Sequence, residues 1–364
     1  MLRTPKVAFV AALCSLALPG VGSAATKLVV AGPPIRQPPA GIPTDSDIEQ
    51  FFPMRVKVHA GDTLHFQIAG FHAIDFPKKG DAAPPLAVPG DPPVSGVNDA
   101  AGTPFWFNGQ PSVLFNPVVA FGTRSGGAYN GSTPVASGAP LSAGPPKPWE
   151  VKLTKRGSYT FYCPIHPGMK GTVDVVRKRS RVPSVRADVA RIRAQLVRGL
   201  TRIKKLDQQP APAGDVIAAG PDLGTGETLY RFTPRTKTVK AGVPVTLQLS
   251  TGTPEIHTFT FARDINSLAP LAQGFVAPLP ATGTRTVPPA LAFAPQALYP
   301  SDVPLPAYDG TQHGDGFLNT GVLDGDPQSP QPQAATVTFS TPGTYQYICL
   351  VHPDTMKGQV VVTP

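Results

Sequence analysis

The sequence predicts an all-β chain of two tandem β-sandwich domains joined by a basic helix. Three observations predict it. Pro and Gly reach 46 and 36 of 364 residues, while 15% of the chain is charged and 41% hydrophobic. That balance suits short strands and long surface loops better than helical bundles. Apolar and polar residues alternate with a period of two in both halves. A short loop carrying Cys, His and Met occurs twice, at nearly constant separation.

The N-terminus reads as a signal peptide over residues 1–25. Arg3 and Lys6 precede a 12-residue apolar run, Val7–Leu18, too short to favour a permanent span, and Ser23-Ala24-Ala25 offers small residues for cleavage. No later apolar run is long enough to span a bilayer. The expected location is therefore secreted, periplasmic or cell-surface. Of three Cys, Cys14 falls in the leader, which leaves Cys163 and Cys349. A disulfide between these two would consume both repeated loops, so the thiols point to another use.

Domain 1 is expected over residues 26–176. Residues 26–50 are Pro-rich and partly extended. From Met54 the pattern turns to strand: Val56 and Val58, a turn at Ala60-Gly61-Asp62, then Leu64, Phe66 and Ile68, continuing through Phe71–Phe76. Residues 77–148 form a long insertion rich in Pro, Gly, Ser and Ala. Its aromatic islands, Phe105-Trp106-Phe107 and Val113-Leu114-Phe115, need a surface to pack on. Strand patterns return at Trp149–Leu153 and Tyr159–Tyr162, before the first loop.

A basic segment, 177–211, follows. Between 177 and 207 eleven Lys or Arg stand against two Asp, a net +9 that equals the formal charge of the whole chain. Val185, Val189, Ile192, Leu196, Leu200 and Ile203 recur at helical spacing, with Pro183 near the start and Pro210 beyond the end. One reading is a helix whose apolar stripe packs on a domain. The other is a surface for an anionic partner, such as a membrane face, a wall polymer or an acidic redox protein. Nucleic acid does not suit an exported chain.

Domain 2, residues 212–364, repeats domain 1 and carries its own long insertion. Thr236–Gly242 matches Val56–Gly61 in character, and Glu255–Phe261 matches the stretch around His72. His257 lies 185 residues after His72; Cys349 and His352 lie 186 after Cys163 and His166; Met356 lies 187 after Met169.

These residues form two candidate metal-ligand sets: His72, Cys163, His166 and Met169, and then His257, Cys349, His352 and Met356. A thiolate with two imidazoles and a weak thioether is the donor set of a type 1 copper site. Cys and two His with water also suit zinc, but the repeated soft thioether favours copper, so two copper ions are expected per chain. His59, His65 and His313 have no repeated counterpart and read as ordinary polar residues.

The loop Cys163–Met169 and the strand His257–Phe261 resemble those of the cupredoxins, the small blue-copper proteins, in their plastocyanin and amicyanin branch. The resemblance implies an eight-stranded Greek-key β-sandwich per domain, with one-electron transfer to transient redox protein partners as the activity. It makes His72 and His257 the first ligands and the loop His the more exposed one. The residue after the first His is often Asn in that family, where it ties the ligand segments; here it is Ala73 or Thr258. Thr355 lengthens the second loop by one residue, so two similar sites of unequal potential are expected. Two further readings stand beside the carrier: copper storage or delivery without redox turnover, and a copper oxidoreductase of the nitrite-reductase or multicopper-oxidase kind. The extra His ligands such enzymes place beside the Cys are missing, since Tyr162 and Pro164 flank Cys163 and Ile348 and Leu350 flank Cys349. No catalytic residues are expected.

Overall fold

The structure, a computed structural model, describes residues 24–278, 290–326 and 329–364. All of the leader except Ala24 and Ala25 lies outside these residues. No helix among the described residues is long and apolar enough to cross a membrane. The chain is all-β apart from one long helix and a few short ones, and divides into two compact units.

Unit 1 is built from two five-stranded sheets. In the first, Thr26–Ala31 runs parallel to Thr63–Ile68, flanked by Phe51–Phe52 and by Trp149–Leu153 with Gly127–Tyr129. In the second, Gly157–Tyr162 pairs with Lys170–Val176, which runs parallel to Arg55–His59; Asp75–Phe76 and Val135–Ala136 complete it. Strand alternation turns Leu64 and Phe66 inward to zero exposure. The core between the sheets is aromatic, with Phe51, Phe66, Phe76 and Phe161 packed ring on ring. The sandwich thus has ten strands where eight were expected. The first strand, expected only as partly extended chain, takes its partner nearly forty residues downstream. Phe71–Ile74, expected as strand, is loop; only Asp75–Phe76 joins the ladder.

The helix Val185–Asp207 belongs to unit 1. Ser184 caps it, its Oγ accepting from the Ala187 N–H at 3.3 Å. Ile192, Leu196, Ile203 and Leu206 are buried along one face, while all eleven basic residues between 177 and 205 are exposed. Gln195, polar but buried, donates to Phe51 O and Gln50 Oε1 at 2.9 Å each. Residues 225–227 also belong to this unit: Glu49 N–H donates to Gly226 O at 2.6 Å.

Unit 2 repeats the sandwich. Val216–Ala219 runs parallel to Pro244–Leu249, with Phe232–Thr233 and Ala334–Thr338 outside them. The facing sheet holds Thr236–Lys240, Lys357–Thr363, Gly343–Ile348, Thr260–Phe261 and Leu318–Asn319. Residues 87–117, which fall inside the first half of the sequence, are part of this unit. Ala87–Gly90 and Ser112–Phe115 form a small sheet with Leu291–Phe293 and Val276–Pro278. Phe105 and Phe107 find their packing surface here, in a cluster with Phe317, Ile348 and Leu350. The insertion therefore buttresses the residues on either side of Cys349.

Candidate metal centres

Each centre is made by one strand pairing and one tight loop. In unit 1, Tyr162 pairs with Asp75, which brings the segment before Asp75, with His72, beside Cys163. In unit 2, Thr260 pairs with Ile348 and brings His257 beside Cys349. Cys163 N–H donates to Met169 O at 2.9 Å, and Met169 N–H closes a turn onto His166 O at 3.1 Å. The second loop keeps the same closure, Cys349 N–H to Met356 O at 3.0 Å. It absorbs Thr355 by widening the turn, so that Thr355 and Met356 both donate to His352 O. Met169 and Met356 are buried, and Met356 shares the unit 2 core cluster with Cys349.

The side chains proposed as ligands converge. In unit 1 the Nδ1 atoms of His72 and His166 are 2.9 Å apart and lie 3.9 and 3.5 Å from Cys163 Sγ. In unit 2 Cys349 Sγ lies 3.8 Å from Nδ1 of both His257 and His352. An ion bonded at about 2.0–2.3 Å to two nitrogens and a sulfur holds those donors roughly 3–4 Å from one another. All three edges fit in unit 1 and both sulfur–nitrogen edges fit in unit 2, and copper suits the donor chemistry. In both units the backbone N–H after the first His points at the sulfur, from Ala73 at 3.4 Å and Thr258 at 3.5 Å.

Burial sets the protonation of these groups. Desolvation lowers His72 and His352 to about 4. His257 falls well below its ordinary value through burial, with the neighbouring His352 adding to it. All three are neutral imidazoles at pH 7, with lone pairs ready to donate. Burial raises the Cys349 thiol, opposed by hydrogen bonds from the backbone of Thr258, His352 and Val351. The loop His is the less buried of each pair, His166 at 7% exposure against 1% for His72.

Three features of the sites lie outside the ligand pattern of the sequence. Gly32 and Gly220, at φ +84° and +62°, leave room for the far side of the first His; a Cβ on Gly32 would stand 2.8 Å from His72 Nε2. The repeated Ala-Gly-Pro at 31–33 and 219–221 was the available signal. Glu49 and Tyr230 flank the two loop histidines, and nothing in the sequence marks them. The residue after His257 ties the two ligand segments through its hydroxyl: Thr258 Oγ1 accepts from Leu350 N–H at 2.9 Å. The unrepeated histidines are engaged elsewhere. His59 bonds Ser180 O, His65 bonds Glu150, and His313 lies between Asp99 and Asp302 at 3.2 and 3.0 Å.

No family model and no curated protein matches the chain. Among solved structures it is similar to an oxidized amicyanin variant, 17% identical, covering 43% of this chain and 87% of that one with a TM-score of 0.22. It is also similar to auracyanin A, described as a "blue" copper protein from the green thermophilic photosynthetic bacterium Chloroflexus aurantiacus. That match is 20% identical and covers 41% and 96% of the two chains, with a TM-score of 0.21. Oxidized plastocyanin from Dryopteris crassirhizoma gives the same identity and TM-score over 41% and 99%.

Proposed function

We propose that this chain is an exported two-domain blue-copper protein of the cupredoxin kind, which carries single electrons between protein partners through one type 1 copper in each half. The observation that carries this reading is the duplicated triangle of two imidazoles and one buried thiol, reached in both units through the same strand pairing and the same Cys-to-Met loop closure. Copper bound there would supply a one-electron couple. His72, Cys163 and His166 would hold it in the first half and His257, Cys349 and His352 in the second, with the buried Met169 and Met356 available as weak thioether donors. The protein's own part is to keep the donors at fixed spacing in both oxidation states. Loop closure holds Cys and Met together. The N–H groups of Ala73 and Thr258 stabilise charge on sulfur, and the aromatic core excludes water. Export follows from the leader pattern, and the exposed basic face of 177–207 suits an acidic redox partner approached by electrostatic steering.

The test is metal analysis and a visible spectrum on the purified protein. Two coppers per chain with intense blue absorption are expected. The colour should be lost when Cys163→Ser and Cys349→Ser are combined. A colourless copper complex overturns the proposal, and a metal content above two per chain favours an oxidoreductase.

A further inference from the structure

The two centres also differ at a position outside either loop. Gly32 N–H donates to Gln50 O at 3.0 Å, and Gly220 N–H donates to Arg231 O at 3.0 Å. The next residues pair Ala31 with Phe51 and Ala219 with Phe232. Gln50 and Arg231 are therefore equivalent, and so are the residues before them, Glu49 and Tyr230. In unit 1 a carboxylate oxygen of Glu49, 3% exposed, lies within 4.8 Å of a His166 ring nitrogen. In unit 2 the Tyr230 ring stacks on His352, with centroids 4.4 Å apart and planes at 23°. One loop histidine faces a buried acid; its counterpart is covered by an aromatic ring.

We infer that Glu49 and Tyr230 are the positioning residues that rank the two centres, giving the second the higher reduction potential, so that it accepts an electron first. The inference rests on the blue-copper reading above. Oxidation adds one positive charge at the site. A carboxylate beside the ligand imidazole stabilises that charge and strengthens the imidazole as a donor, which favours the oxidised state. A stacked ring displaces water and offers no countercharge, so the added charge is less well solvated and the reduced state gains. Both effects act at the same histidine, and they have opposite sign.

The experiment is a mediated spectroelectrochemical titration of the copper-loaded full chain. Cys349→Ser leaves only the first centre coloured and Cys163→Ser only the second, which assigns the two waves. The second centre is expected at the higher potential. Glu49→Gln should shift the first wave upward by about a tenfold change in relative affinity for the two oxidation states, 59 mV for one electron, and Glu49→Asp should restore most of it. Tyr230→Leu should shift the second wave downward and leave the first in place. Thermal unfolding of the copper-free variants separates a purely structural role, which would move the melting temperature without moving either wave. Equal or reversed potentials overturn the ranking, and so does a first wave unmoved in Glu49→Gln together with a second unmoved in Tyr230→Leu. A wild-type protein that takes up copper without colour overturns the carrier reading itself, and the ranking with it.

Discussion

Thr258 Oγ1 accepts a hydrogen bond from Leu350 N–H at 2.9 Å, joining the residue after the first histidine to the residue after the cysteine. Thr258 Oγ1 also lies 2.9 Å from Thr260 Oγ1, which donates to Asn319 Oδ1 at 2.8 Å. The equivalent pair in unit 1 is Ala73 and Pro164. Alanine has no side-chain acceptor, and proline has no N–H to satisfy. Both halves therefore leave no orphan at this point, one by making the bond and the other by deleting both ends of it.

This exchange predicts a strong coupling. Thr258→Ala leaves the N–H of Leu350, itself 1% exposed, buried without its partner, and should cost about 1–3 kcal/mol. Leu350→Pro in the wild-type background should also destabilise. The double variant should be more stable than the sum of the single losses implies, because it reproduces the arrangement of unit 1. Denaturant midpoints for the four proteins of the cycle measure the coupling; simple additivity would show that the bond is energetically idle.

Proton release on metal uptake follows from the burial of the donors. At pH 7 His257 and His352 are already neutral, whereas the raised Cys349 thiol still holds its proton. In the Cys163→Ser protein, copper should displace about one proton, from sulfur, and none from imidazole. Calorimetry in two buffers of different ionisation enthalpy measures the number. Without copper, the unfolded chain takes up protons near pH 6.5 that folded His72 and His352 refuse until about 4. Stability of the copper-free protein should therefore be lost as pH falls from 6.5 towards 4.

Asp75 pulls the other way. It is 1% exposed, its Oδ2 has no hydrogen-bond partner, and burial raises its carboxyl to about 7. Between pH 4 and 7 the folded chain keeps a proton that the unfolded chain has released, so this group's contribution falls as pH rises through that window. Asp75→Asn should match the wild type at pH 4 and exceed it by roughly 1–3 kcal/mol at pH 8. Melting temperatures at the two pH values check the crossover; a variant less stable than the wild type at pH 8 would contradict it.

Gly32 and Gly220 should tolerate no side chain. Both have positive φ, and a Cβ would press into the first histidine. Gly220→Ala should cost about 2 kcal/mol or more through strain and displacement of His257. It should also weaken copper binding at the second centre alone, seen as about half the wild-type copper content when two equivalents per chain are supplied.

The convergence of His, Cys and His was legible because ligand chemistry restricts residue type and spacing, and the chain states the pattern twice. The helix Val185–Asp207 was legible from its period, although Val185 is exposed and the buried face includes polar Gln195, which hydrogen-bonds inward. What stayed hidden depended on distant partners. Thr26–Ala31 is a strand because Thr63–Ile68 lies beside it. Phe71–Ile74 alternates like a strand, yet Ala73 N–H is directed to Cys163 Sγ and Ile74 N–H to Ser137 Oγ, not to a ladder. Glu49 and Tyr230 differ in every chemical respect, so no repeat search would align them without the backbone bonds of Gly32 and Gly220.

The membership of residues 87–117 in unit 2 has a consequence for synthesis on the ribosome. A chain emerging from its N-terminus can form most of the first sandwich once residue 176 is out. Phe105 and Phe107 must then wait for Phe317, Ile348 and Leu350, more than two hundred residues later. The first half cannot finish burying its own insertion until the last strands arrive. A nascent chain truncated within the second half therefore carries an exposed aromatic loop on an otherwise folded sandwich, a natural point of attention for chaperones and proteases.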